Sequence, residues 1–352
     1  MTKARREQVC LSDTPWYHIV NRCVRRAYLC GTDRVSGQCY EHRRGWIEQR
    51  ILQLASVFAI DVAAYAVMSN HYHLVVRVDC DVAKSWSDDE VLERWTKLFT
   101  GPLLVRNYLE DSSEFNDAML DKVGEFTELY RKRLHDISWF MRVLNESIAR
   151  MANNEDGVTG RFWEGRFKSQ ALLDEQAILS VMAYVDLNPV RAGIASDLLE
   201  SEYTSIKHRV SGHPSESKSS IDGRAVERRE VEPAPCDGHH LKFNGLNTLP
   251  LAELMPFDAG GQCSSAIPFA LMDYLEFVDY LGRAVHPKKW GYIPEARPKL
   301  MTVLGLGDAW VEEISNDSWL KSFGWVIGRP DSLRQLNSGP KKGMRKACLL
   351  AA

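Results

Sequence analysis

The 352-residue chain contains no apolar run approaching the ~18 residues that a membrane-crossing helix needs, which excludes a conventional spanning segment. Its basic first residues, MTKARREQVC, lead into no apolar stretch, so no secretory leader is expected. None of the eight cysteines forms a Cys-x-x-Cys pair, and at this length, with no leader expected, reduced thiols in a cytoplasm are expected. Cys236 and His239 stand at Cys-x-x-His spacing beside His240, but no second close pair completes a four-ligand zinc site. No G-x-x-x-x-G-K-[ST] phosphate loop is present, so the chain carries no recognisable nucleotide-driven motor. No internal repeat is visible. Charge of one sign is not in excess either: 44 Lys and Arg face 47 Asp and Glu, a net charge of -3, so the whole chain is not a basic nucleic-acid binder. What remains is ordinary globular composition, 45% hydrophobic and 26% charged, which excludes a disordered chain, a collagen or a coiled-coil rod. The length suggests two domains at roughly 150 residues each.

The charge is unevenly spread. Residues 1–50 hold ten Lys or Arg against five Asp or Glu, whereas Asp79 to Glu93 holds six acidic residues and one basic residue, Lys84. That pattern fits one basic face with an acidic appendage, or simply mixed solvated surfaces. Residues 209–242 are polar, contain Ser and Pro, and read as a linker between residues 1–208 and a small α-helical domain at 243–330. That second unit is either a DNA- or partner-binding module or a structural cap. Residues 331–352 read as a loose basic tail.

Within the first unit, Trp16–Arg22 is aromatic and β-branched and predicts a strand. Residues 44–57 carry helical spacing, with Trp46, Ile47, Ile51 and Leu54 on one face. Ile60–Met68 and His71–Val78 predict two strands around a Ser69-Asn70 turn. Residues 138–153 predict a helix, Phe167–Leu173 a fourth strand, and Asp174 the N-cap of a last helix through about Leu187. The order β-α-β-β-α-β-α predicts an α+β fold: a ferredoxin-like, split-βαβ antiparallel sheet followed by a further helix. Residues 80–135 interrupt it as a helical insertion. In the second unit, Ile267–Val285 predicts a helix.

Three sequence words carry chemistry. In the first, Asn70-His71-Tyr72-His73-Leu74, the two histidines share one strand face. Two imidazoles so placed can bind one divalent metal, or can simply be incidental strand residues. A histidine-triad hydrolase would need a third histidine at position 75, which is Val75. The second word, Gly160-Arg161-Phe162-Trp163-Glu164-Gly165-Arg166-Phe167-Lys168-Ser169, interleaves three basic and three aromatic residues. It suits phosphate contact with base stacking on single-stranded nucleic acid, or an edge strand with buried aromatics. In the third, Tyr184-Val185-Asp186-Leu187-Asn188-Pro189-Val190-Arg191-Ala192-Gly193, Tyr184 and Asn188 are four residues apart and can share a helix face. Pro189 disfavours helical geometry at Asn188, which predicts a helix end there. Alone, a helix-borne tyrosine such as Tyr184 is far more often a core residue than a nucleophile.

Together the three words resemble the single-tyrosine HUH transposases, specifically the REP-associated tyrosine transposases. The His-hydrophobic-His signature corresponds to His71-Tyr72-His73, a pattern like G-x-x-x-x-G-R-[FY]-K-S to GRFWEGRFKS, and one like Y-[IV]-x-x-N-P-V-R-A-G to YVDLNPVRAG. The words occur in the family's order, and the resemblance covers roughly residues 10–208, interrupted by the insertion.

The resemblance implies a catalytic Tyr184, with His71, His73 and Asn188 as ligands of Mg²⁺ or Mn²⁺. It implies nicking and rejoining of single-stranded or hairpin DNA through a 5′-phosphotyrosine, in a cytoplasmic, nucleoid-associated protein that is a monomer or a dimer. Arg22, Arg25, Arg26, Arg161, Arg166, Lys168 and Arg191 are candidate DNA-backbone contacts. Phe162, Trp163 and Phe167 are candidates for base stacking, and Arg191 alternatively caps the tyrosine helix. A replication initiator or relaxase of the same superfamily, and a non-catalytic DNA-binding regulator on the same fold, are the competing readings.

Overall fold

A computed structural model describes residues 9–24, 29–32, 37–215, 241–263, 265–285 and 326–335. Four strands alternate with helices as the sequence predicts: β1 (Trp16–Arg22), α1 (His42–Ala55), β2 (Ile60–Val67), β3 (His71–Val78), α6 (Ile137–Glu155) and β4 (Lys168–Leu172), followed by α7 (Glu175–Arg191). The sheet order is β2-β3-β1-β4-β5, where β5 is Val326–Ile327, and β2, β3, β1 and β4 are antiparallel to their neighbours in that order. This is the split-βαβ arrangement, in which β3 lies between the two strands that α1 connects.

Side-chain alternation divides the sheet into two faces. One face sends Tyr17, Ile19, Tyr72, Leu74 and Val76 into a core with Ile47, Ile51, Phe140 and Leu144 of α1 and α6. The other sends Val75, Ala64, Ala66 and Leu172 against α7. Asp174 caps α7 by accepting from the Ala177 N–H at 2.9 Å. This helix is buried along almost its whole length because the sheet covers one side and later elements the other.

The insertion folds as α2 (Cys80–Ser85), α3 (Asp88–Leu98), α4 (Leu103–Glu110) and α5 (Asp117–Leu134). Its acidic run has a local cause: Ser87 caps α3, and Asp88, Asp89 and Glu90 occupy the first turn, where the helix dipole favours negative charge.

The structure departs from the expected boundaries in three places. The helix expected to end near Leu187 continues through Pro189 to Arg191. The proline lies in the last turn, so it removes one hydrogen bond there without splitting the helix. Residues 209–211 are not linker: they finish α8 (Ser205–Ser211), and the Arg209 guanidinium donates to the Ala63 carbonyl at 2.8 Å. Residues 216–240 lie outside the described part.

The region expected as a helical unit also joins the main sheet. Val326–Ile327, β5, pairs in parallel with β4. The helix expected from Ile267 is α10 (Leu271–Val285), and it packs on α7. Gly282 permits the close approach, since a Cβ there would lie 3.0 Å from Leu187 Cδ2. Short helices α9 (Phe243–Leu246) and α11 (Pro330–Arg334) complete the described elements. Cys236, His239 and most of the expected tail are outside the described residues. No helix among them is long and apolar enough to cross a membrane.

Candidate active site

The site lies on the α7 face of the sheet, at the end where β1 finishes and β3 begins. The β1–β3 register sets Val20 opposite His73 and Arg22 opposite His71. Both histidines leave β3 on this face, with rings edge to face and centroids 4.9 Å apart. His71 is half-buried and His73 is 5% exposed. His71 Nδ1 lies 2.6 Å from Asn70 Oδ1.

A third histidine, which the sequence reading passed over, stands beside them. His18 of β1 lies edge to edge with His73, the ring centroids 5.2 Å apart and the planes within 9° of parallel. Its Nε2 is 2.9 Å from His73 Nδ1, and its Nδ1 is 2.9 Å from Gln170 Oε1 on β4. Burial pushes His18 down to about 4 and holds His73 well below the ordinary histidine value, helped for His73 by the neighbouring His18, His71 and Arg22. Both rings are therefore neutral near pH 7.

α7 supplies the other half. The Tyr184 ring meets the His73 ring edge to face at 5.8 Å, and Tyr184 is 7% exposed. One turn on, the Asn188 side chain is buried and its Nδ2 has no hydrogen-bond partner. His73 Nε2 is buried without a partner as well. The structure thus brings Tyr184, His71 and His73 to one place, with Asn188 on the next turn of the tyrosine's helix.

These orphaned atoms test whether the implied cation fits. Unsatisfied buried polar atoms cost about 1–3 kcal/mol each, so a native site that holds two has a use for a further partner. His73 Nε2 is a suitable ligand atom, and half a turn of the Asn188 amide exchanges Nδ2 for a ligating Oδ1. No cluster of three His, Cys, Asp or Glu side chains with metal-binding geometry occurs among the described residues. A cation here would draw on two imidazoles and an amide, a set that leaves open positions and favours Mn²⁺ over Mg²⁺.

The second sequence word lies along the end of β1. Val24 N–H donates to the Phe162 carbonyl at 2.9 Å, and Glu164 N–H donates to the Arg22 carbonyl at 2.8 Å. Lys168 pairs with Val20, the residue that also faces His73. Arg22, Arg161, Arg166 and Lys168 are all exposed here, so residues about 140 positions apart form one basic rim beside the histidines.

The aromatics behave differently from the stacking expectation. Trp163 is 9% exposed, packs edge to face on Tyr72, and donates its indole N–H to the Asn145 carbonyl at 2.8 Å. Its ring is part of the core and presents no face to a base; Phe162 and Phe167 are buried likewise. Arg191 is also turned inward. Its guanidinium carbon lies 5.1 Å from the Tyr184 ring centre and its nitrogens are buried, so it belongs to the site and not to the outer rim. Arg25 and Arg26 lie outside the described residues.

No protein-family profile and no curated protein sequence matches the chain. Among solved structures, the chain is similar to a REP-associated tyrosine transposase bound to a REP hairpin. That similarity has 12% identity over 63% of this chain and 93% of that chain, with a TM-score of 0.35.

Proposed function

We propose that this protein is a tyrosine transesterase that nicks and rejoins single-stranded DNA at hairpins. The observation that carries the reading is the pairing of Tyr184 with a buried, unsatisfied His73 Nε2 on the sheet face that also presents His71. The three matching sequence words and the exposed basic rim support it.

Tyr184 Oη attacks the scissile phosphorus in line. A phosphorus–oxygen bond to tyrosine forms, the bond to the preceding 3′-oxygen breaks, and the phenolic proton leaves while the 3′-oxygen gains one. The product is a 5′-phosphotyrosine and a free 3′-hydroxyl. A 3′-hydroxyl reverses the step without external energy, which makes cutting and joining one reaction. His71, His73 and Asn188 would hold Mg²⁺ or Mn²⁺. When bound, the cation offsets the charge that builds on the non-bridging phosphate oxygens. Arg191 adds a fixed positive charge beside the nucleophile, and Arg22, Arg161, Arg166 and Lys168 bind the flanking backbone.

The burial of Tyr184 favours one alternative, a hairpin-binding protein that does not cut. Labelled hairpin oligonucleotides incubated with the protein and Mn²⁺, then resolved on a denaturing gel, separate the two. A covalent adduct that Tyr184→Phe abolishes is the expected result. A tight non-covalent complex with no adduct would establish the alternative, and an adduct that persists in Tyr184→Phe would refute the assignment of the nucleophile.

A further inference from the structure

Resting on the reading of His73 as a ligand, the geometry points to Gln170 and His18 as a positioning relay that decides which ring nitrogen of His73 is bare. A neutral imidazole has one N–H and one lone pair, so a hydrogen bond at one nitrogen settles the role of the other. Here the settlement runs across three strands. Gln170 Oε1 can only accept, so His18 Nδ1, at 2.9 Å, carries the proton. His18 Nε2 is then a lone pair and accepts from His73 Nδ1–H at 2.9 Å. His73 Nε2 is left bare, buried, and without a hydrogen-bond partner beside Tyr184.

The opposite polarity, begun from the Gln170 amide nitrogen, would end in an N–H at His73 Nε2 and repel a cation. The sheet holds the relay rigidly. His18 and Gln170 are direct partners in the β1–β4 ladder, and His18 is 1% exposed with its ring within 9° of parallel to the His73 ring. His71 Nδ1 has a carbonyl acceptor of its own, Asn70 Oδ1 at 2.6 Å. Partners that orient a ligating histidine in this way are typically worth 10–100-fold in metal affinity.

The test uses the full-length protein. Long-range ¹H–¹⁵N correlation of the histidine rings, without metal, reads the tautomer directly, and Mn²⁺ titration followed by electron paramagnetic resonance reads affinity. Wild-type His73 is expected to carry its proton on Nδ1. His18→Leu is expected to lose that single tautomer and to bind Mn²⁺ about 10–100-fold more weakly. Gln170→Glu, whose ionised carboxylate has no N–H to donate, retains both properties. His18→Gln, whose amide oxygen takes the place of Nε2, restores affinity to within a few-fold. Should His18→Leu fail to fold, Gln170→Leu interrupts the relay at its half-buried end, with the same expected loss. A wild-type His73 protonated at Nε2, or a folded relay-broken variant binding Mn²⁺ like wild type, overturns the proposal. Wild-type protein that binds no Mn²⁺ yet keeps the Nδ1–H tautomer upholds the relay and refutes the metal reading of the preceding section.

Discussion

Replacing Asp186 with alanine should loosen the helix that carries Tyr184 without touching any site residue. Asp186 is fully buried and accepts three hydrogen bonds: Ser205 Oγ at 2.6 Å, Ile206 N–H at 3.0 Å and Tyr274 Oη at 2.5 Å. The first two come from α8 and the third from α10, so one carboxylate ties both elements to α7. Alanine leaves three buried donors without an acceptor, each costing about 1–3 kcal/mol. Burial holds the Asp186 carboxyl above its ordinary range, so part of its charge-dependent gain is already offset. A net loss of about 3–5 kcal/mol is expected, or roughly 10 °C in Tm for a chain of this size. Asp186→Asn keeps an acceptor oxygen, and the two hydroxyls can rotate to accept from its amide, so it should cost only about 1–2 kcal/mol. Tyr274→Phe removes one of the three bonds and should fall near the asparagine variant. Urea and thermal unfolding of the three proteins give the comparison. An alanine variant within about 1 kcal/mol of wild type, or an asparagine variant as unstable as the alanine one, would refute the reasoning.

Three further outcomes follow from the same geometry. Burial raises Glu48 to about 8, although the Tyr65 hydroxyl donates to it at 2.6 Å. A carboxyl with a folded value above its unfolded one adds stability below about pH 4.5 and loses it as pH rises toward 8, at up to about 1.4 kcal/mol per unit. Glu48→Gln should remove that decline, so the variant gains on wild type between pH 5 and 8 in urea midpoints; parallel declines would count against it. Trp163→Phe keeps an aromatic ring but deletes the bond to the Asn145 carbonyl, and should cost about 1–2 kcal/mol in stability; loss of hairpin affinity in a fully stable variant would instead return the indole to the DNA. Alanine at Arg161, Arg166 or Lys168 should each lower the slope of log affinity against log salt by about 0.7 on single-stranded DNA, and an unchanged slope removes that residue from the interface.

Much of the fold was legible because its signals are local. The alternation in WYHIVNR and HYHLVVRV fixes which side chains share a sheet face, so His71 and His73 could be placed together from two residues. What could not be read depends on register between distant segments. A single histidine in β1 looks like any strand residue, and its role emerges only when the sheet sets it beside His73, 55 positions away, and Gln170, 152 positions away. Trp163 is ambiguous for the same reason: interleaved Arg and aromatic residues fit a DNA surface or an edge, and the bridge from Cys23 to Trp163 turns the indole inward. Val326–Ile327 is too short to leave any pattern, and parallel pairing with β4 makes it a strand.

The third word shows how one segment can be both site and scaffold. In an α-helix two residues subtend about 200°, so Tyr184 and Asp186 point to opposite sides, while Asn188 returns to the side of Tyr184. Tyr184 faces the sheet histidines, and Asp186 anchors α8 and α10 behind. A helix committed on both sides is apolar nearly all round, which is why its sequence shows little amphipathic period and why Pro189, in the last turn of a helix clamped from both sides, does not end it. The same clamp bears on the chemistry. On the proposed reading, Tyr184, which is 7% exposed, would reach a phosphate only if α7 or the strands beside it yield, and the Asp186 bonds would set how far the outer side can give. Weakening them in Tyr274→Phe should therefore raise adduct formation at a saturating hairpin concentration even as stability falls, whereas a parallel loss of both would mean that Tyr184 reacts in the closed arrangement.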